Sequence, residues 1–314
     1  MNVSILGCGV FGLALAKTFL DNEENKVMVW SKFEKEVNEF SEKCLSITFT
    51  TNLELAINKA DLIVIAIPIA FLEETMKEVK KYYNNQDIVI ASKGIDTNTK
   101  MFAYEIINKH LNNTYIGVLS GGTFANDMSN KKVMGITLGT NSISIENKIK
   151  KSLTSKFLNV QYINDYIGVS ICGAIKNVMA IGFGMLDGTN FPSSSKFLFL
   201  TETIYEIKSL ITTLGGNADT VMSYAGIDDI MMTCTSMESR NYTLGNMIGK
   251  NVSKDELNTY KENTTIEGLG TSMAIYELAK EKDINLPISN TIYNILYNDG
   301  NINELISLLE KKES

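Results

Sequence analysis

Three glycines near the start of the chain stand at the spacing Gly-x-Gly-x-x-Gly, in Gly7-Cys8-Gly9-Val10-Phe11-Gly12. They follow the short apolar run Val3-Ser4-Ile5-Leu6 and lead into Leu13-Ala14-Leu15-Ala16-Lys17, a helix start. Strand, glycine turn and helix in that order supply what a dinucleotide pyrophosphate needs. Gly7 permits the tight turn, Gly9 lets backbone approach the ligand, and Gly12 lets the helix pack on the strand. The N–H groups of the first helical turn then offer themselves to the phosphates. A glycine turn without a ligand is the plainer alternative, and the flanking strand and helix weigh against it. The second apolar run, Lys26-Val27-Met28-Val29-Trp30, ends where an enzyme restricted to NAD carries an acid for the ribose 2′-hydroxyl. Here Ser31 and Lys32 follow, an arrangement that does not repel a 2′-phosphate and can hold one, with Glu34 nearby as a competing acid.

Proton transfer needs a titratable group, and Lys176 is the most conspicuous. Its helix neighbours at three and four positions are Cys172, Gly173, Met179 and Ala180, and no acid lies between Asp165 and Asp187. Burial without a counter-charge penalises the ammonium and lowers a lysine pKa, which suits a proton carrier at neutral pH. A lysine that snorkels to the surface is the competing reading, and the local residues leave the two open. Lys93 follows an apolar run and precedes Gly94, a place that also suits a capping lysine. Asp228-Asp229 precedes the turn Ile230-Met231-Met232 and reads equally well as an N-cap. Ser239-Arg240-Asn241 offers a hydroxyl, a planar fork and an amide in three consecutive residues, a trio suited to phosphate or to an ordinary turn. Arg240 is the chain's one arginine among 29 basic Lys and Arg residues. A chain that otherwise uses lysine would keep arginine where a forked donor is required.

These residues need elements to hold them. Up to about residue 165, strand and helix signals alternate. A charged helix is expected over Glu34–Cys44. The runs Asp61–Pro68 and Asp87–Ser92 are almost wholly apolar, as central parallel strands covered on both faces must be. Tyr115–Leu119, Met134–Leu138 and Val160–Ile163 continue the series. Repeated β-α units predict an α/β fold with a Rossmann-type doubly wound, mostly parallel sheet, whose ligands bind at the carboxyl ends of the strands. Pro68, Lys93-Gly94 and Gly121-Gly122 fall at such ends. From about Asp165 the pattern becomes helical, with Ile167–Leu186, Phe197–Leu214, Ala218–Met222 and Thr271–Lys282 as examples. We therefore expect a dinucleotide-binding domain over residues 1–165 and an all-helical substrate and catalytic domain over 166–314, with Glu310–Ser314 fraying.

At 314 residues the chain has room for two such domains. A net charge of -7 and a pI near 5.0 argue against nucleic-acid binding, which needs a basic face. The segment Ile167–Leu186 is interrupted by glycines, Lys176 and Asn177 and reads as a buried helix instead of a membrane span. No basic stretch precedes the first apolar run, so no signal peptide is expected. Cys8, Cys44, Cys172 and Cys234 are scattered without metal-ligand or disulfide spacing, which suits a reduced, cytoplasmic setting without a metal site. His110 is the one histidine and is expected on a helix surface. Its solitude argues against histidine-based acid–base catalysis and Ser-His or Cys-His triads.

Together these segments resemble the bacterial NAD(P)-dependent glycerol-3-phosphate dehydrogenases over nearly the whole chain. The resemblance is carried by the glycine turn, Ala91-Ser92-Lys93-Gly94-Ile95-Asp96, Ser120-Gly121-Gly122-Thr123-Phe124-Ala125 and Asp165-Tyr166-Ile167-Gly168. It continues through Gly173-Ala174-Ile175-Lys176-Asn177-Val178-Met179-Ala180-Ile181, Ala225-Gly226-Ile227-Asp228-Asp229-Ile230, Ser239-Arg240-Asn241, Glu267-Gly268 and Leu286-Pro287-Ile288. It implies Lys176 as general acid/base, with Lys93, Asp229 and Thr233 as companions and Gly121 and Thr123 as substrate contacts. Ser239, Arg240 and Asn241 would grip the substrate phosphate. Gly7, Gly9, Val10, Phe11, Gly12, Lys32, Lys93, Ala125, Arg240, Thr265 and Glu267 would touch NAD or NADP. The chain departs from the family pattern at Gly122 (usually Pro), Asp127 (usually Glu) and Asp228 (usually Gly). The segment Phe40–Thr51 is short, and Phe191–Glu202 lacks the family's Asn and Arg.

The expected reaction is the reversible reduction of dihydroxyacetone phosphate to sn-glycerol 3-phosphate, a phospholipid precursor. The expected partner is a phosphorylated small molecule, and a homodimer is one assembly open to the chain. Two rivals remain at this point: a 3-hydroxy acid or ketopantoate reductase of the same architecture, and a nucleotide-sensing protein without turnover. A substrate without phosphate would mark the first, and cofactor binding without oxidation the second.

Overall fold

The computed structural model describes residues 1–111 and 115–310. Four of the five terminal residues expected to fray, 311–314, lie outside the described residues.

The chain divides into two compact units, Met1–Lys93 with Phe102–Val169, and Gly94–Met101 with Ser170–Ser314. The first is built on one sheet of eight strands: β1 (Asn2–Leu6), β2 (Lys26–Trp30), β3 (Thr48–Thr50), β4 (Leu62–Ile65), β5 (Asp87–Ile90), β6 (Ile116–Ser120), β7 (Met134–Thr140) and β8 (Leu158–Ile163). Their spatial order is β3-β2-β1-β4-β5-β6-β7-β8. Every neighbouring pair is parallel except β6 and β7. The first six strands thus follow the doubly wound order that reverses between β1 and β4, where such sheets open a ligand crevice. The apolar runs of β4 and β5 are buried along their whole length, as strands covered on both faces should be. The helices of this unit are α1 (Val10–Phe19), α2 (Glu34–Lys43), α3 (Leu53–Asn58), α4 (Leu72–Val79), α5 (Ala103–His110), α6 (Ala125–Ser129) and α7 (Ile143–Ser152). The strand β3 was not expected: Thr-Phe-Thr carries too little apolar character to announce itself. His110 also departs from the exposed position expected of it, because its Nε2 lies 3.0 Å from Glu73 Oε1 on α4 and its side chain is only 12% exposed.

The helices that follow are α8 (Tyr166–Gly188), α9 (Ser193–Thr213), α10 (Asp229–Thr235), α11 (Arg240–Gly249), α12 (Lys254–Asn263), α13 (Glu267–Lys282), α14 (Pro287–Tyr297) and α15 (Ile302–Ser307). Ala218–Met222, expected as a helix, is a 3-10 turn. Asp165 Oδ1 accepts a hydrogen bond from Gly168 N at 2.9 Å and so starts α8, meeting donors that the helix cannot satisfy itself. α8 has the length and mean hydropathy of a membrane span, yet its apolar window is wholly buried inside the protein. It is a core helix.

Helix α14 is held from outside by a buried acid. Glu206 on α9 accepts from Ile288 N at 2.7 Å, Ser289 N at 2.9 Å and Ser289 Oγ at 2.6 Å, in the first turn of α14. Burial outweighs these bonds and pushes the Glu206 carboxyl above its ordinary 4.5. The native state then holds this proton more tightly than the unfolded chain does. Its stabilising contribution is complete below pH 4.5 and is lost as pH rises through the raised value. Glu206→Gln keeps an acceptor oxygen, so we expect it to flatten this part of the stability–pH profile. Urea unfolding at a series of pH values from acid to neutral checks this, and an unchanged slope refutes it.

Candidate active site

In the first unit the candidate residues gather at the carboxyl ends of the strands. Gly7 N donates to Trp30 O at 2.9 Å, so the glycine turn lies beside the end of β2. Gly7 has φ +125°, and a Cβ there would lie 2.4 Å from Ala66 O, so only glycine fits. A Cβ on Gly12 would lie 2.2 Å from Gly7 O, so α1 can pack against the turn only without one. Gly9 differs: an added Cβ meets nothing within 4 Å. Its lack of a side chain leaves open space at the N-terminus of α1, where the first helical N–H groups emerge. Two glycines that close the turn and one that leaves its mouth open fit a dinucleotide pyrophosphate. Val10 is 75% exposed at the same mouth. Lys93 Nζ sits 5.9 Å from the centre of the Phe11 ring, which brings the lysine after β5 to the glycine turn.

Gly121 and Thr123 follow β6, and Ala125 opens α6. Thr123 N donates to Gly121 O at 2.8 Å. A Cβ on Gly121 would stand 2.5 Å from Gly135 O. Lys32 lies on the surface with its ammonium 3.0 Å from Glu74 Oε1, both side chains about two-thirds exposed (66% and 70%). An acid other than Glu34 also reaches the end of β2. Ser31 Oγ donates to Glu36 Oε2 at 2.5 Å.

In the second unit, α8 directs two consecutive side chains toward different neighbours, as a helix must when adjacent residues stand about 100° apart. Lys176 Nζ donates to Asp229 Oδ1 at 2.5 Å and to Thr233 Oγ1 at 3.0 Å, and Thr233 Oγ1 donates to Asp229 Oδ1 at 3.1 Å. Lys176 is 7% exposed and Asp229 0%. The local sequence around Lys176 offers no counter-charge, but the fold brings one from 53 residues away. Each ion offsets the other's desolvation, and the threonine satisfies both. The snorkelling alternative is thereby excluded. Asp228 is not a cap in extended conformation: it has helical dihedrals, φ −62° and ψ −52°. It ends a π-turn over Tyr224–Asp228 that runs straight into α10. Such wide turns recur at functional sites. Cys234 is buried beside the cluster, and burial pushes its thiol up, so it supplies no thiolate nucleophile.

Asn177, which sequence reasoning passed over, turns the other way. Its Nδ2 donates to Glu267 Oε2 at 3.1 Å, and its Oδ1 accepts from Asn241 Nδ2 at 3.0 Å. Asn241 Oδ1 in turn accepts from Gly268 N at 2.9 Å. This network ties α8 to the starts of α11 and α13. Its one signal in the sequence is a polar pair, Lys176-Asn177, inside an otherwise apolar helix. Ser239 caps α11, its Oγ accepting from Tyr242 N at 3.2 Å. Arg240 is the exposed first residue of α11, and Thr265 is exposed just before α13. Asp187, also unforeseen, is held by Lys196, by Tyr242 Oη and by Asn246 Nδ2, and Lys196 leads among the partners that keep its carboxyl below the usual range despite burial. Among the described residues, no three His, Cys, Asp or Glu side chains gather to hold a metal ion.

Comparison with known proteins agrees with both halves of this description. The N-terminal model of the NAD-dependent glycerol-3-phosphate dehydrogenases matches residues 2–146, and the C-terminal model matches residues 165–307. A glycerol-3-phosphate dehydrogenase (NAD(P)+) of Ligilactobacillus salivarius is 32% identical over 330 residues, covering 99% of this chain and 97% of its own. One from Staphylococcus carnosus is 32% identical over 323 residues, covering 98% and 97%. The crystal structure of glycerol-3-phosphate dehydrogenase from Coxiella burnetii superposes with a TM-score of 0.91 at 25% identity, covering 99% of each chain. The two matches cover both the unit that carries the glycine turn and the helices that hold the buried lysine–aspartate pair, and the chain belongs to the NAD-dependent glycerol-3-phosphate dehydrogenase family.

Proposed function

We propose that the protein is an NAD(P)-dependent sn-glycerol-3-phosphate dehydrogenase, an oxidoreductase that reversibly reduces dihydroxyacetone phosphate. Family membership over both halves supports the reaction, and the buried Lys176–Asp229–Thr233 cluster carries the mechanism. Residues 1–165 would bind the dinucleotide and residues 166–314 would supply proton transfer and phosphate recognition. When bound, the reduced nicotinamide supplies a hydride to the ketone carbon. Lys176 Nζ gives a proton to the ketone oxygen as it becomes an alkoxide, and takes it back in the reverse direction. Asp229 and Thr233 hold that nitrogen in place through hydrogen bonds to their Oδ1 and Oγ1. This fixed orientation is what a general acid needs.

Arg240 is our candidate for the substrate phosphate, with Ser239 and Asn241 beside it. It is a cation at the first position of α11, where the helix dipole disfavours positive charge. The guanidinium fork and the N–H groups of that turn both favour an anion. The same reading assigns substrate contacts to Lys93, Gly121, Thr123 and Thr233. It assigns dinucleotide contacts to Gly7, Gly9, Val10, Phe11, Gly12, Lys32, Lys93, Ala125, Arg240, Thr265 and Glu267. It includes a cytoplasmic location, in keeping with four cysteines that form no disulfide. The test is the loss of reduced-nicotinamide absorbance with dihydroxyacetone phosphate and NADH or NADPH in turn. We expect turnover with this substrate and little with ketoacids lacking phosphate. Dinucleotide binding without oxidation would overturn the reading.

A further inference from the structure

We propose that Glu36 sets the dinucleotide preference, holding a negative charge at the end of β2 that favours NADH over NADPH. The inference rests on the dinucleotide reading above and goes beyond it.

The chain leaves β2 at Trp30 and turns at Ser31, whose Oγ accepts from Phe33 N at 3.1 Å and donates to Glu36 Oε2 at 2.5 Å. Glu36 lies in the first turn of α2 and is half-buried, whereas Glu34 is exposed. The glycine turn is adjacent, since Gly7 N donates to Trp30 O at 2.9 Å. The Glu36 carboxylate is close enough to this turn to act on Cys8, whose thiol is pushed up to about 12 by burial first and by Glu36 next. The carboxylate therefore stands beside both the turn that cradles a pyrophosphate and the strand end that faces an adenosine ribose in doubly wound sheets. An acid in that position can accept from ribose hydroxyls. A 2′-phosphate would bring like charge against it, and repulsion of the wrong ligand is a direct route to specificity.

Lys32 is the residue that would oppose this. Its ammonium is 3.0 Å from Glu74, an exposed residue of α4. An exposed pair of this kind is weak, so Lys32 is free to leave it, and the experiment must test it directly.

The full chain is titrated with NADH and with NADPH by nicotinamide fluorescence, with no triose phosphate present. At low ionic strength we expect NADH to bind about tenfold more tightly or better, and added salt to narrow the gap. Glu36→Gln keeps an oxygen for Ser31 while removing the charge. It should strengthen NADPH binding until the two dinucleotides differ by less than about threefold, with NADH nearly unchanged. Lys32→Ala, which removes a proposed dinucleotide contact, should weaken both ligands alike and so keep their ratio. Equal weakening of both ligands by Glu36→Gln would mark a structural role and overturn the proposal. So would a wild-type preference for NADPH, or a loss of NADPH binding alone in Lys32→Ala. Failure of the wild-type chain to bind either dinucleotide would overturn the dinucleotide reading itself, and this proposal with it.

Discussion

Lys176→Ala is expected to lower kcat by about 10²–10⁴-fold, the usual worth of a positioned general acid. It is also expected to destabilise the protein. Asp229 is 0% exposed, and loss of the ammonium removes the cation paired with its carboxylate. Breaking a buried pair from one side costs about 3–5 kcal/mol, because the surviving charge is uncompensated. Activity and stability must therefore be separated. The double variant Lys176→Met/Asp229→Leu replaces both ions by apolar side chains, an exchange that is often neutral or stabilising. We expect it to regain most of the lost stability in urea unfolding while remaining as inactive as the single variant. Steady-state kinetics beside unfolding curves check both parts. Turnover near wild type in any folded variant without Lys176 rules out its role as proton carrier.

Arg240→Lys is expected to reduce kcat/KM for dihydroxyacetone phosphate by about 1.5–3 kcal/mol, the worth of one charged hydrogen bond. Lysine keeps the charge but cannot make two parallel bonds to a phosphate. For dihydroxyacetone, which has no phosphate, the same substitution should matter far less. The two substrates together distinguish phosphate recognition from support of the fold. Arg240 begins α11 behind the Ser239 cap, so a structural defect would reach both substrates equally. Equal losses would remove Arg240 from the phosphate.

Much of the dinucleotide-binding unit is legible along the chain because its signals are local. The run in β4 is apolar from end to end and that in β5 is apolar after Asp87, and the glycine turn sits between a strand and a helix that both announce themselves. β3 does not, since Thr48-Phe49-Thr50 is placed by pairing with β2 instead of by composition. The reversed direction of β7 is equally silent, because its inward residues serve either direction. The site divides the same way. Lys176 stands out as a charge in an acid-free helix, whereas its partner Asp229 can be assigned only by a fold that spans 53 residues. The pairing of Ser31 with Glu36 depends on how the turn after β2 aims α2, which no periodicity reveals. The roles proposed for Thr265 and Glu267 rest on family resemblance, not on their local chemistry.

The segment Gly94–Met101 belongs to the second unit, although the chain on either side of it belongs to the first. Lys100 reaches Glu277 and Glu281 on α13 at 3.4 and 3.5 Å, and Thr97 packs near Gly270. A ribosome delivers this segment long before it delivers α13. Domains generally fold as they emerge, from the N-terminus onward. Here the earlier-made unit can close around its sheet while a short loop of it waits, unpaired, for helices still to be translated. Gene fragments cut at the family's own boundary would strand that loop on the wrong piece, so a separately expressed C-terminal half lacks part of its own packing from the outset.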